Sequence, residues 1–506
     1  MADVEELERV LAAVFAAGSV EVHENGRWLA ALAGLQYEVR RQGNSILLHL
    51  WSEQQNLVRR VLRIADQSAE QVVVEVQRFG RSKPDTLAFV CAGRERAAGR
   101  LTREKFRERF RQLLAEQFPD DKLDSLTTSA DMVHSLSSCY ARGLLHRGAQ
   151  AWTVMGVSSA EDAATTDAIL TFGLLWLDRA RQQAQRSPVA GLRLFLPEGA
   201  SRVTAHRLNG MEPSTRIELY EVNESSWRAR QMDPRDIGNL ATWLTPRREL
   251  EFLLAEASSA LERIRQLAPG AIGLGVAPGT SDVALRFRGL EIARWHGGAV
   301  SFGLGDDREE LTQRTWPNLE RLVLELETFR HPLASDTSHP LYRHQAERWL
   351  ETLVYADPKR IDPRLDPQRL YSQVPAFAAG DRGVIDLLGV TQDGRLAVLE
   401  LKAGEDIQLP LQAVDYWLRV RWHHQQEDFQ RYGYFAGVPL QPKPPLLYLV
   451  APSLRFHPST DTLLRYLTPD VELERVGLNE DWRRGLRVVF RQGAGRRAGG
   501  LARSAQ

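Results

Sequence analysis

Asp386, Glu400 and Lys402 are ionisable residues set in an otherwise apolar stretch, GVIDLLGVTQDGRLAVLELKAGED, running from Gly383 to Asp406. The apolar segments on either side of TQDG, with its Asp-Gly pair, predict two antiparallel strands joined by a tight turn. Folding that hairpin about Asp393 puts Asp386 opposite Glu400, and directly opposed side chains hold their Cβ atoms about 5 Å apart. Glu400 and Lys402, two apart on one strand, point to the same face. Two carboxylates at that separation repel by roughly 3 kcal/mol at an effective dielectric of about 20. A lysine offsets part of this. A divalent cation between the carboxylates reverses its sign, and Mg²⁺ or Mn²⁺ prefers such hard oxygen ligands. Lys402 would then orient a water nucleophile or stabilise charge developing on a phosphoryl group that the metal polarises. The plainer reading of the trio is a solvated polar face whose ion pair contributes under about 1 kcal/mol.

Two helices must position this hairpin. Upstream, AERWLETL carries Glu347 and Glu351 one turn apart on a shared face, and downstream QAVDY does the same for Gln412 and Tyr416. By themselves Gln412 and Tyr416 are as readily ordinary helix-face residues. Taken together, Asp386, thirteen intervening residues and Glu400-Leu401-Lys402 within VLELK resemble the PD-(D/E)XK nuclease superfamily. QAVDY is similar to the Gln-x-x-x-Tyr element of its RecB-like branch. The resemblance spans residues 340–455, less than a quarter of the chain. It implies a restriction-endonuclease-like αβββαβ core, with Asp386 and Glu400 as metal ligands beside the main chain at Leu401. By the same resemblance Lys402 is catalytic, Gln412 and Tyr416 bind the substrate backbone or support the site, and a metal-linked glutamate lies on the first helix. Ile385 stands where the eponymous proline would be. For the helix carboxylate Glu347 is preferred to Glu351, because in an internal match Glu108 aligns with Glu347 and Gln112 with Glu351.

That match joins two regions of mixed helix and strand pattern. ERFRQLLAEQFP (108–119) lies without gaps over ERWLETLVYADP (347–358), RGLLH matches RGVID, AWTVMGV matches LAVLELK, and RIELYEVNESSW resembles DVELERVGLNEDW. The expected fold is therefore mixed α/β (α+β), with a nuclease-like C-terminal domain, a degenerate second copy upstream and smaller antiparallel β modules. The expected division is 1–95, a β-rich module; 96–245, the degenerate copy; 246–335, a helix with a β-hairpin; 336–490, the nuclease-like domain; and 491–506, a disordered Gly/Ala/Arg tail. In this alignment His146, Met155 and Val157 take the places of Asp386, Glu400 and Lys402, so the first copy would be structural or would only bind.

The rest of the composition narrows the class. A chain of 506 residues exceeds a single hydrophobic core, and the apolar content of 43% suits several. Net charge is zero and only six residues are lysine, which argues against a general nucleic-acid coat but allows a local basic groove. Two cysteines without metal or disulfide spacing fit a reducing interior, and an acidic start with no spanning apolar run fits a cytoplasmic protein. His423 and His424 are adjacent on a helix, cannot face the same way and are expected at the surface. GLGVAPG lacks a phosphate-loop ending and is expected to be a turn, and no G-x-S-x-G, H-E-x-x-H or CxxC is present. The leading expectation is a Mg²⁺- or Mn²⁺-dependent deoxyribonuclease acting on DNA without a membrane, with room for a homo-oligomer or a larger nucleic-acid-processing complex. The alternative is a non-catalytic DNA-binding or assembly scaffold.

Overall fold

The computed structural model describes the whole chain except residues 1–3, 17–19, 25–26, 31–35, 43–44, 52–55, 68–70, 78–83, 92, 132, 185–186, 237–241, 248–249, 306–307, 379–382 and 495–506. The fold is mixed α/β. The chain forms two compact units, each drawn from two stretches: residues 1–100 with 248–349, and 101–247 with 350–506. Both β-rich stretches fall in one unit and both mixed stretches in the other. Residues 336–349, expected with the C-terminal domain, belong with the β-rich unit.

In the first unit a seven-stranded antiparallel sheet spans Val20 to Cys91. Its strand Gln71–Gln77 buries every second residue, and Val72, Val74 and Val76 pack against Leu7, Val10, Leu11 and Val14 of the helix Val4–Ala16. A five-stranded sheet in the same unit is covered by the helices Leu250–Arg265 and Trp316–Phe329, through Leu261, Ile264, Leu319 and Leu322. Its first strand, Ile272–Val276, takes up the first four residues of GLGVAPG, with the turn confined to Pro278 and Gly279 (φ +70°). The stretch expected as one hairpin after it forms three strands, because Gly289 and the Gly297–Gly298 pair supply two separate positive-φ turns.

The second unit contains two sheets of the same plan. The first half supplies helix α1 (Gly93–Gln117, within the unit from residue 101), strands β1 (Lys122–Thr127), β2 (Tyr140–Arg147) and β3 (Gln150–Val157), helices α2 (Ala163–Asp167) and α3 (Ile169–Gln183), strand β4 (Val189–Pro197), helix α4 (Arg202–Leu208), and strands β5 (Ile217–Asn223) and β6 (Arg228–Met232). Strand β7 (Thr242–Leu244) then crosses to the edge of the other sheet. The second half supplies helix α5 (Ala346–Ala356, within the unit from Leu350), strands β8 (Leu365–Ala378), β9 (Val384–Thr391) and β10 (Leu396–Leu401), helices α6 (Leu409–Gln425) and α7 (Asp428–Arg431), strand β11 (Leu446–Pro452), helix α8 (Thr460–Leu464), and strands β12 (Leu473–Leu478) and β13 (Val488–Ala494).

The orders are β1-β2-β3-β4-β5-β6 and β7-β8-β9-β10-β11-β12-β13. In each half the first three strands pair antiparallel, the next two join parallel across helical crossovers, and the last is antiparallel. Parallel strands covered on both faces read as near-continuous apolar runs, and β10 and β11 are buried at every residue, with Glu400 of β10 the one charged side chain among them. Strand β13 reaches Ala494, so residues 491–494, expected in a disordered tail, complete the sheet edge; residues 495–506 lie outside the described residues.

The halves meet reciprocally. Helix α4 packs on α6, and α8 packs on α3. Met211 and Leu467 form an antiparallel bridge, with Glu212 N–H donating to Tyr466 O at 2.8 Å and Thr468 N–H to Gly210 O at 2.9 Å. A Cβ on Gly210 would lie 2.4 Å from Val414 Cγ1, so only glycine permits this approach. Polar locks accompany it: Thr171 Oγ1 donates to Gln408 Oε1 at 2.6 Å, and Asp415 accepts from buried His206 at 2.5 Å and from Arg419 at 2.9 Å.

Candidate active site

The hairpin β9–β10 folds in the register expected from its turn, with Leu387 opposite Leu399, Leu388 opposite Val398 and Val390 opposite Leu396. Asp386 is therefore level with Glu400, one step beyond the last of these pairs. Gly394 makes the turn possible: its φ is +87°, and a Cβ there would meet Pro439 O at 2.2 Å.

Asp386 Oδ2 accepts the Leu401 N–H at 3.1 Å, which ties the first carboxylate to the strand that carries the second. Glu400 is 1% exposed and Lys402 9%. Lys402 Nζ lies 3.3 Å from Glu400 Oε1 and 3.7 Å from Asp406 Oδ2, while its own N–H donates to Val450 O at 3.0 Å. Buried Glu400 therefore has an ammonium beside it. Strand β10 ends here in parallel pairing, Leu401 with Val450 two residues before the end of β11, near the carboxyl ends of strands where open α/β sheets hold their ligands.

Helix α6 brings Gln412 and Tyr416 together, Gln412 Nε2 donating to Tyr416 Oη at 3.3 Å. Burial pushes the Tyr416 hydroxyl well above its ordinary range; Glu400 and then Asp386 add to that rise, against the Gln412 hydrogen bond. The phenol is thus a protonated donor in the field of both carboxylates.

The two helix carboxylates part company. Glu347, the residue preferred from the sequence, is exposed in the first turn of the helix and belongs to the other unit. Glu351, one turn on, is buried and accepts from Ser372 Oγ at 2.5 Å and Gln373 Nε2 at 2.7 Å. Gln373 (φ +57°) falls between the pairs Ser372–Leu387 and Val374–Ile385, level with Asp386. Through it Glu351 is the glutamate joined to the strand beside the site.

Sequence reasoning passed over Asp406, Ser372 and Gln373. Asp406 had a signal, an acid four residues after Lys402; its Oδ1 also accepts the Gln408 N–H at 2.7 Å where α6 begins. For Ser372 and Gln373 no local pattern marks the role, which exists only because α5 packs over β8. His423 also differs from expectation. It is buried, with Nε2 2.7 Å from Thr242 Oγ1 and Nδ1 2.8 Å from Asp428 Oδ2, while His424 turns away to Gln441 O. The helix does separate the two rings, but strand β7 covers the first.

Among the described residues no three His, Cys, Asp or Glu side chains gather as a ligand set. A hard cation would draw on Asp386, Glu400 and the main chain at Leu401, a donor set of oxygens that suits Mg²⁺ or Mn²⁺ and offers nothing to softer metals.

The corresponding hairpin of the first half, β2–β3, has different chemistry. Met155 is opposite Arg142, and Val157 opposite Tyr140, while His146 is opposite Ala151 near the turn. With Met155 in the place of Glu400, the partner in the place of Asp386 is thus Arg142 and not His146. The residue match RGLLH over RGVID followed letters, whereas the tighter turn of the first hairpin sets another register. Arg142 is buried, donates to Ser137 O at 3.3 Å and also to Ser129 O, and burial lowers its pKa. Compared with known proteins, the sequence matches no family model and no curated protein.

Proposed function

We propose that the chain hydrolyses DNA phosphodiester bonds, with Mg²⁺ or Mn²⁺ held at Asp386, Glu400 and the Leu401 main chain. The observation that carries this reading is the convergence at one strand end: Asp386 bound to Leu401 N–H at 3.1 Å, and Lys402 Nζ 3.3 Å from Glu400. The order from α5 to β11, a helix, three strands, the long helix α6 with the short α7 after it, and a strand, supports it by its likeness to the PD-(D/E)XK arrangement. When bound, the cation polarises the phosphoryl group and lowers the pKa of a water. Lys402 places an ammonium next to the reacting phosphate, where it can orient that water or counter charge on the phosphoryl oxygens. Tyr416, kept protonated, donates from the α6 side, and Gln412 fixes its hydroxyl.

The test is cleavage of plasmid and linear DNA with either metal by wild type, Glu400→Ala and Lys402→Ala. Both substitutions abolish cleavage while circular dichroism stays native; cleavage retained by both removes the assignment. A second reading, a DNA-binding scaffold, is favoured by one feature: Lys402 lies between Glu400 and Asp406, as in a local ion-pair cluster. Salt-dependent DNA binding without nicking in any divalent metal would select it.

A further inference from the structure

The two halves of the second unit are joined as the subunits of an isologous dimer are, by equal and opposite contacts. Corresponding helices exchange partners, α4 on α6 and α8 on α3, and the segments following α4 and α8 pair with each other at Met211 and Leu467. The two backbone bonds there, Glu212 N to Tyr466 O and Thr468 N to Gly210 O, are images of one another. The antiparallel strands of duplex DNA are themselves related by two-fold axes, a symmetry that a two-fold protein can match with one half to each strand.

The halves are unequal where it matters. At the end of β9–β10 stand Asp386, Glu400 and Lys402; at the end of β2–β3 stand Arg142, Met155 and Val157. Met155 and Val157 are buried in the shared apolar core, and Tyr140, opposite Val157, donates its hydroxyl to Thr165 O at 2.6 Å. A guanidinium where the first carboxylate would be repels a divalent cation, and a thioether offers it no hard oxygen.

Resting on the nuclease reading above, we infer that the chain is an internal pseudo-dimer with one cutting half, which nicks one strand of a DNA duplex per binding event. The reaction is hydrolysis at Asp386–Glu400–Lys402: a water oxygen bonds to phosphorus, the bond from phosphorus to one deoxyribose oxygen breaks, and that oxygen leaves as a hydroxyl carrying a proton from the water. The β2–β3 half binds the opposite strand and leaves it intact.

The experiment uses the full chain with Mg²⁺ or Mn²⁺ on supercoiled plasmid and, in parallel, on a linear duplex labelled on both strands. The expected result is conversion of supercoiled to open-circular DNA, with full-length linear molecules appearing only after a lag and with more than first-order dependence on protein. Linear molecules forming in step with open circles from the first cut would overturn the inference. Erosion of the linear duplex from its ends with the plasmid left whole would also overturn it, while the phosphodiesterase reading stands. No cleavage of either substrate would remove both. Glu400→Gln, which keeps the shape of the side chain, and Lys402→Ala are each expected to lose every product; wild-type nicking rates retained by both variants would overturn the single-site inference.

Discussion

Asp386 Oδ2 accepts the main-chain N–H of Leu401 at 3.1 Å, so the residue between Glu400 and Lys402 in sequence is the one that holds the opposing carboxylate. The hydrogen bond fixes where one carboxylate sits relative to the other without consuming its charge. Position and charge at Asp386 can therefore be separated by substitution.

Asp386→Asn keeps an oxygen that can accept from Leu401, so stability should change by under about 1 kcal/mol. Cation affinity should fall by at least about tenfold, the scale seen even for outer partners of metal sites. Calorimetric titration of Mg²⁺ or Mn²⁺ into both proteins checks it; equal affinity would take Asp386 out of the ligand set.

Glu351 and Glu347 should behave oppositely on unfolding. Glu351→Ala leaves the Ser372 hydroxyl and the Gln373 amide without their buried acceptor, at about 1–3 kcal/mol. Exposed Glu347→Ala should stay within about 0.5 kcal/mol of wild type. Urea denaturation of the two variants decides, and comparable losses would contradict the division of roles.

Gly394→Ala should destabilise by more than about 1 kcal/mol, since alanine resists positive φ and its methyl would meet Pro439 O. Cleavage should fall with it, because this turn sets Asp386 against Glu400. A variant as stable as wild type would mean that the turn relaxes freely.

Acid should weaken the β-rich unit before the ordinary carboxylate range is reached. Burial lowers the pKa of both His339 and His344 to about 4. The unfolded chain binds these protons near pH 6.5, so the stability is fully present above that value and is lost as pH falls toward about 4. His339→Asn can still accept from Leu341 N–H but does not titrate, so thermal unfolding between pH 7 and 4.5 should shift less than in wild type. An identical pH dependence would show that His339 is not responsible.

What could be read from residues alone was whatever depends on a few neighbours. Strand pairing across TQDG followed from turn chemistry and a period of two, and so did the level placement of Asp386 and Glu400. The shared face of Gln412 and Tyr416 followed from the helical turn. The same local periods made Glu347 and Glu351 equivalent and left His423 at the surface, because a helix's own pattern does not say which strand will cover it.

Those choices belonged to tertiary structure. The strand β8 beside α5 selected Glu351, strand β7 buried His423, and the loop after β10 brought Asp406 to Lys402. The letter match of the two halves put His146 where pairing puts Arg142, since register is a property of two strands and a turn together. The sequence by itself determined the hairpin, the charged trio and the like helix-and-strand pattern of two mixed regions, all short-range patterns. Only the folded chain decided that those regions meet about Met211 and Leu467, because that depends on burying helix faces hundreds of residues apart.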